Sequence, residues 1–210
     1  MRTHLILGSL WLLTTVGAAA PAAQTYTFER TFSGATRLDV STHRGKIVVT
    51  AGDEPRMVVA ATVTVKRGLN TPANSGQLAA GLSDHPPVRQ QGATVQLAPP
   101  DDPLVDRIVT IDYDVHVPAS ATVVATGDSG AVTISAIAGI VTVRTQSGPI
   151  DVTLPPALPV TLDATSGSGA IDIDRDLVKD AATKGRVHAT IHGGGVAYQL
   201  TSKSGTIRVK

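Results

Sequence analysis

Four times in the second half of the chain, a serine–glycine pair is followed by the same alternation of branched and polar residues. The copies are Gly130-Ala-Val-Thr-Ile134, Gly148-Pro-Ile-Asp-Val152, Gly169-Ala-Ile-Asp-Ile173 and Gly205-Thr-Ile-Arg-Val209, preceded by Ser129, Ser147, Ser168 and Ser204. Gly185-Arg-Val-His-Ala189 is a weaker copy, and the five glycines lie 16 to 21 residues apart. A further short strand falls between most copies: Gly139-Ile-Val-Thr-Val143, Val160-Thr-Leu162 and Gly195-Val-Ala-Tyr-Gln-Leu200. Each unit therefore reads as turn, strand, turn, strand, with one apolar face per strand. A unit this small cannot bury that face alone, whereas stacked units make one continuous Val/Ile core. Glycine at the corners is expected where a tight bend needs positive φ. The fold class is accordingly all-β, a parallel β-solenoid of Gly-cornered strands. An antiparallel β-sandwich is the alternative, since its strands recur every 8–12 residues too; the returning Ser-Gly corner favours the solenoid.

The first half is β-rich but less regular. Leu38–Val40, Lys46–Thr50, Met57–Val65, Ala93–Leu97, Ile108–Val117 and Ala121–Ala125 read as strands, and Pro118 closes the fifth because proline has no ladder donor. Residues 67–92 are rich in Gly, Pro, Asn, Ser and Gln and read as a surface insertion, with one helical turn at Gln77–Leu82.

Residues 1–22 read as a secretory signal. Arg2 and His4 begin it, an apolar run spans Leu5–Val16, and Ala20-Pro21-Ala22 fits the small-x-small cleavage rule. The run is shorter than the roughly 20 apolar residues of a membrane span. Residues 23–35 then form a lead-in and 36–210 a single strand-repeat domain. Without the signal the sequence has no membrane span, and the 18 basic and 17 acidic residues of the whole become 17 and 17, because Arg2 is lost. Location in the periplasm, outside the cell or on its surface follows as the expectation.

Composition removes several classes. The near-balance of charge argues against a nucleic-acid partner. With no cysteine there is no disulfide framework, thiolate zinc site or cysteine nucleophile. Aromatic residues are 3% of the chain, which leaves little for sugar stacking.

The order of motifs resembles the bacterial putative-adhesin family, exported strand-repeat domains of unknown function. The likeness is carried by Ile111-Asp-Tyr-Asp-Val-His-Val-Pro118, by the Ser-Gly corners at 129, 147 and 168, and by the ending Gly193-Gly-Gly-Val-Ala-Tyr-Gln-Leu-Thr-Ser-Lys-Ser-Gly-Thr-Ile-Arg-Val-Lys210. It runs over roughly 36–210 and is weakest across 67–92. The resemblance implies a solenoid-like fold and an envelope or surface location. It implies no catalytic residue, because the family has no established active site.

Three apparent chemical motifs fail on inspection. Gly127-Asp-Ser-Gly130 matches a serine-protease nucleophile, and His43 with Asp102 or Asp106 precedes it in triad order. Ser-Gly recurs with the same sequel elsewhere, however, so Ser129 reads as one corner among several. His188 and His192 have zinc spacing only on a helix; along a strand four residues span about 13 Å. Gly193-Gly194-Gly195 lacks the aspartate of calcium-binding repeats. No cofactor is expected.

One constellation survives. If the corners stack in sequence order, the third residue after each glycine forms an outward column of Thr133, Asp151, Asp172, His188 and Arg208, with Asp174 on the same face. Rungs lie about 4.8 Å apart. Asp151 and Asp172 would then repel each other or attract a cation. Asp151, Asp172, Asp174, His188 and Arg208 are therefore the candidate surface-binding residues for an envelope polymer or surface protein, or else a solvated face. The C-terminal strand reads as an exposed edge guarded by Arg208 and Lys210. A non-enzymatic envelope protein, adhesin-like or structural, is the expected function. An extracellular polysaccharide-acting enzyme on a solenoid scaffold is the alternative.

Overall fold

A computed structural model describes residues 24–66, 71–173 and 178–210, with main chain only at 178–182. The segment 1–22, expected to be a secretory signal, and Asp174 lie outside the described residues. In chain order the elements are β1 (Thr25–Ser33), β2 (Arg37–Thr42), β3 (Ile47–Gly52), β4 (Arg56–Val65), α1 (Ser75–Asp84), β5 (Val88–Gln91), β6 (Thr94–Leu97), α2 (Pro103–Ile108), β7 (Val109–Pro118), β8 (Thr122–Gly127) and β9 (Val132–Ser135). They continue with β10 (Val141–Thr145), β11 (Ile150–Thr153), β12 (Val160–Ser166), β13 (Ile171–Ile173), β14 (Val178–Thr183), β15 (Arg186–Ile191), β16 (Val196–Ser202) and β17 (Ile207–Val209).

Two sheets face each other. One has eight strands in the order β1-β4-β7-β3-β9-β11-β17-β13, and the other nine in the order β14-β15-β12-β16-β10-β8-β2-β6-β5. Six coils each place one strand in either sheet: β6–β7, β2–β3, β8–β9, β10–β11, β16–β17 and β12–β13, in that spatial order. Neighbouring coils pair in parallel without register shifts, as Val141↔Val123 and Ile150↔Val132 illustrate. The fold is thus an all-β solenoid at its centre. Its flanks are antiparallel: β1 and β4 extend one sheet, and β15 and β14 the other.

Alternation in the sequence sets what is buried. Inward residues such as Val132, Ile134, Val141, Val143, Ile150 and Ile207 have no exposed surface, while their neighbours face water. Tyr113 and Tyr198 are the largest of the fully buried side chains. The sheet with β1 and β4 is longer at that end than its partner, and α1 packs against those two strands, with Ala79 buried and Leu78 and Leu82 on the core.

Several expectations change. The lead-in is β1, paired along its whole length with β4. The insertion holds a helix longer than one turn. Ile108 belongs to α2, started by Asp102, whose side chain accepts from Leu104 N at 2.8 Å, and by Pro103 at the first position. Gly185 is a hairpin turn between β14 and β15 with φ of +78°, so the weak repeat copy is no coil corner. The C-terminal strand is not an edge. β17 lies between β11 and β13, and β16 between β10 and β12, so the final coil is inserted ahead of the one preceding it in sequence.

Candidate functional site

The four Ser-Gly corners, with Arg44-Gly45 ahead of them, form a continuous column: Gly45, Gly130, Gly148, Gly205 and Gly169 in spatial order. A Cβ on Gly130 would overlap the carbonyl of Gly45. The same holds for Gly148 against Gly130, Gly205 against Gly148, and Gly169 against Gly205. Only Gly45 has positive φ, +111°. Close approach of successive coils, and not left-handed backbone, therefore selects glycine at the other four.

Hydroxyls stitch the same corners together. Ser129 Oγ donates to the His43 carbonyl at 3.2 Å, Ser147 Oγ to that of Asp128 at 3.2 Å, and Ser204 Oγ to that of Gln146 at 3.1 Å. Three residues before Gly148, Gly205 and Gly169, a second row of hydroxyls lies buried. Thr145 Oγ1 donates to the Gly148 carbonyl at 2.8 Å, and Ser202 Oγ, 2.9 Å from it, accepts from Gly205 N at 2.7 Å. Ser166 Oγ accepts from Gly169 N at 2.9 Å and donates to the Gly205 carbonyl at 3.0 Å. A buried hydroxyl persists only when bonded, and these satisfy the backbone groups that the bend leaves over.

The triad-like residues come close without forming a triad. His43 Nδ1 lies 3.1 Å from Asp106 Oδ2, and Arg44 Nη2 lies 3.5 Å from the same atom. Ser129 sits one coil away, but its hydroxyl is spent on the main-chain carbonyl of His43. A nucleophile needs its hydrogen bond to the imidazole. The cluster instead ties the first corner to α2. Asp102 is that helix's cap.

The outward column departs from its expected order. Register gives Thr133, Asp151, Arg208, Asp172 along β9, β11, β17 and β13. Asp151 and Asp172 are therefore two strand spacings apart, about 10 Å, with a guanidinium between them. Arg208 Nη1 lies 3.3 Å from Asp151 Oδ1. Since β17 is inserted, the protein's own cation stands where an ion would have been drawn, and the expected repulsion is absent. The separation also exceeds the roughly 5 Å of a retaining glycosidase pair. His188 is not in this column. It lies on β15 in the other sheet, in register with Asp163. His192 is in the turn after β15 with φ of +52°.

One concavity was not foreseen. On the outer face of the eight-stranded sheet a hollow of about 410 Å³ is lined by Glu29, Lys46, Thr62, Asp112 and Asp114, among others. Asp112 Oδ1 accepts from Lys46 N at 2.8 Å, so one carboxylate already serves the backbone. The alternation Asp112-Tyr113-Asp114 shows both carboxylates facing outward, but their grouping with Glu29 depends on β1 pairing with β4, which no local motif reveals. Among the described residues no three His, Asp or Glu side chains gather as a metal site would require, and no helix is long and apolar enough to cross a membrane.

Burial pushes the Tyr113 and Tyr198 phenols far above the usual tyrosine range. Tyr198 donates to the Ile137 carbonyl, and Tyr113 to that of Ala98 at 3.3 Å. Arg186, bonded to Asp163 at 2.8 Å, is raised by that hydrogen bond and charge. These are structural groups, and among the described residues no perturbed acid or base faces an opening.

Residues 112–210 match the family model described as Toastrack DUF4097. The structure is similar to that of a putative cell adhesion protein from Clostridium sporogenes, with a TM-score of 0.51 and 12% identity, covering 89% of this chain and 99% of that one. No curated protein matches the chain. The match and the shared fold support the adhesin-like resemblance drawn from the sequence.

Proposed function

We propose that this chain is an exported, non-enzymatic protein of the cell envelope or surface, whose solenoid faces make broad, shallow contacts with an envelope polymer or another surface protein. The observation that carries this reading is how the polar groups are used. The corner hydroxyls bond the backbone, His43 and Arg44 both meet Asp106, and Arg208 stands between Asp151 and Asp172. What remains for a partner is two long sheet faces studded with hydroxyls and isolated charges. Such faces suit extended contacts better than enclosure of a small substrate. The Clostridium sporogenes protein of like fold is described as a putative cell adhesion protein, which agrees with this reading. The segment 1–22 supports export by its composition.

The test is retention of the purified protein on envelope fractions, with the soluble products analysed in parallel. Saturable retention without new reducing ends or unsaturated sugars is expected. Product formation abolished by Asp151→Asn or Asp172→Asn would overturn the reading in favour of a polysaccharide-acting enzyme.

A further inference from the structure

The coil β16–β17 docks between β10–β11 and β12–β13 in both sheets, so its neighbours on either side precede it in the chain. Those neighbours leave a slot of set width. β11 and β13 stand two strand spacings apart, about 10 Å, which one coil fills. The link from β11 to β12, residues 154–159, crosses the slot on the side opposite the glycine corners, and it contains Pro155, Pro156 and Pro159, whose rings fix φ. Leu154 N donates to the Lys210 carbonyl at 2.7 Å and Val196 N to that of Pro159 at 3.0 Å, so both ends of the inserted coil are fastened to this link. The slot is also marked chemically. The Tyr198 hydroxyl donates to the Ile137 carbonyl in the return ahead of β10, and Arg208 lies between Asp151 and Asp172. The coil β12–β13 carries the same Ser-Gly corner, yet it has Leu162 where Tyr198 stands and Asp172 where Arg208 stands. In the slot such a coil would leave the Ile137 carbonyl unmatched and set three carboxylates side by side. The occupant that suits the slot is therefore a segment with the sequence of residues 196–210.

The connection of this segment to β15 has the features of a hinge. His192, Gly193 and Gly194 in succession have positive φ, +52°, +85° and +79°, and Gly193 has open space about its Cβ position. Glycine passes readily from that backbone region to an extended one, and an extended link also releases His192 from a conformation that non-glycine residues seldom adopt. We propose that the slot is filled during folding by residues 196–210 of either the same chain or a second copy, so that two copies exchange this coil. The contacts made in the slot are the same in both cases, and the two forms differ in the hinge and in the entropy of association. Once folded, neither form releases the coil readily, because its departure parts β10–β11 from β12–β13 in both sheets. The ratio of the two forms is therefore set when the chain folds, by the concentration of other copies against the effective concentration of the chain's own segment. Reciprocal exchange closes a twofold dimer and involves no envelope ligand.

The test is to unfold the full chain in denaturant, refold it over a range of concentrations and resolve the products by size-exclusion chromatography. A dimer is expected whose share rises with the refolding concentration and which persists on dilution afterwards. Thr142 and Gln199 are paired outward residues of β10 and β16, and the chain has no cysteine, so Thr142→Cys with Gln199→Cys gives one disulfide that ties the coil to its own slot. That variant should refold as a monomer when oxidised and yield the dimer when reduced. A fluorescent peptide of residues 196–210, present in excess during refolding, should be retained by the monomer and lower the dimer at least tenfold. The same peptide with Arg208→Asp should do neither. A parent that refolds as monomer at every concentration, an oxidised variant that dimerises as the parent does, or equal competition by the Arg208→Asp peptide would overturn the proposal.

Discussion

At the scale of single residues, glycine carries the sharpest expectations. Gly148→Ala places a Cβ into the Gly130 carbonyl, which belongs to backbone and cannot yield. A loss of about 3 kcal/mol or more in denaturant unfolding is expected. Gly81 in α1 has open space around its Cβ position. Gly81→Ala should therefore gain about 0.5–1 kcal/mol from helix propensity. Equal effects of the two changes would refute the account of the corners. The buried phenols give a pH expectation. Their folded values are raised, so they add stability fully present below the unfolded tyrosine value near 10 and lost as the pH climbs above it. Thermal melts should weaken above about pH 10, and Tyr198→Phe, which strands the Ile137 carbonyl, should cost about 1–2 kcal/mol at neutral pH.

At the scale of elements, the strands were legible and their neighbours were not. Alternation located β2, β3, β4, β6, β7 and β8 but not β1 or β5, and the Ser-Gly repeat located the coils of the second half. Ser204-Gly205 and Ser168-Gly169 are chemically interchangeable corners, however, so nothing local says which docks on β10–β11. Sequential elements are usually neighbours, and that tendency placed Asp151 beside Asp172. The inserted β17 reverses the electrostatics of the column. Arg208→Ala would leave Asp151 and Asp172 without their shared neighbour, at a cost within about 1 kcal/mol for so exposed a group. Arg208→Asp would set three carboxylates about 4.8 Å apart. That variant should be destabilised further and, unlike the parent, stabilised by millimolar divalent cation in thermal melts. The short helix α2 was missed because Ile108 continues the apolar alternation of β7, and only the Asp102-Pro103 cap marks the earlier start. The hollow beside Glu29 was illegible for a different reason, since it depends on pairing across some thirty residues.

At the scale of the whole molecule, the core is one stack whose fifth coil comes from residues 196–210. Removing that segment separates β10–β11 from β12–β13 in both sheets at once. A chain truncated after Gly195 is expected to lose cooperative unfolding altogether, as calorimetry would show by the absence of a transition. The two sides of the stack also differ in freedom. On the corner side, successive backbones touch through glycine, and the Ser129, Ser147 and Ser204 hydroxyls donate to main-chain carbonyls of the neighbouring coil. On the opposite side the returns from sheet to sheet vary: Ala119-Ser120 after β7, Ala136 to Gly139 after β9, and Pro155 to Pro159 after β11. Ala136 and Ala157 there adopt positive φ without glycine. Coils also meet closely there at Gly139 and Gly195, but the returns differ in length, so the molecule has a regular spine and a more variable margin. Foreign loops grafted between Pro155 and Leu158 should fold with the scaffold, whereas the same graft at Gln146-Ser147 should not, and diversification of such a protein over time has room on one margin only.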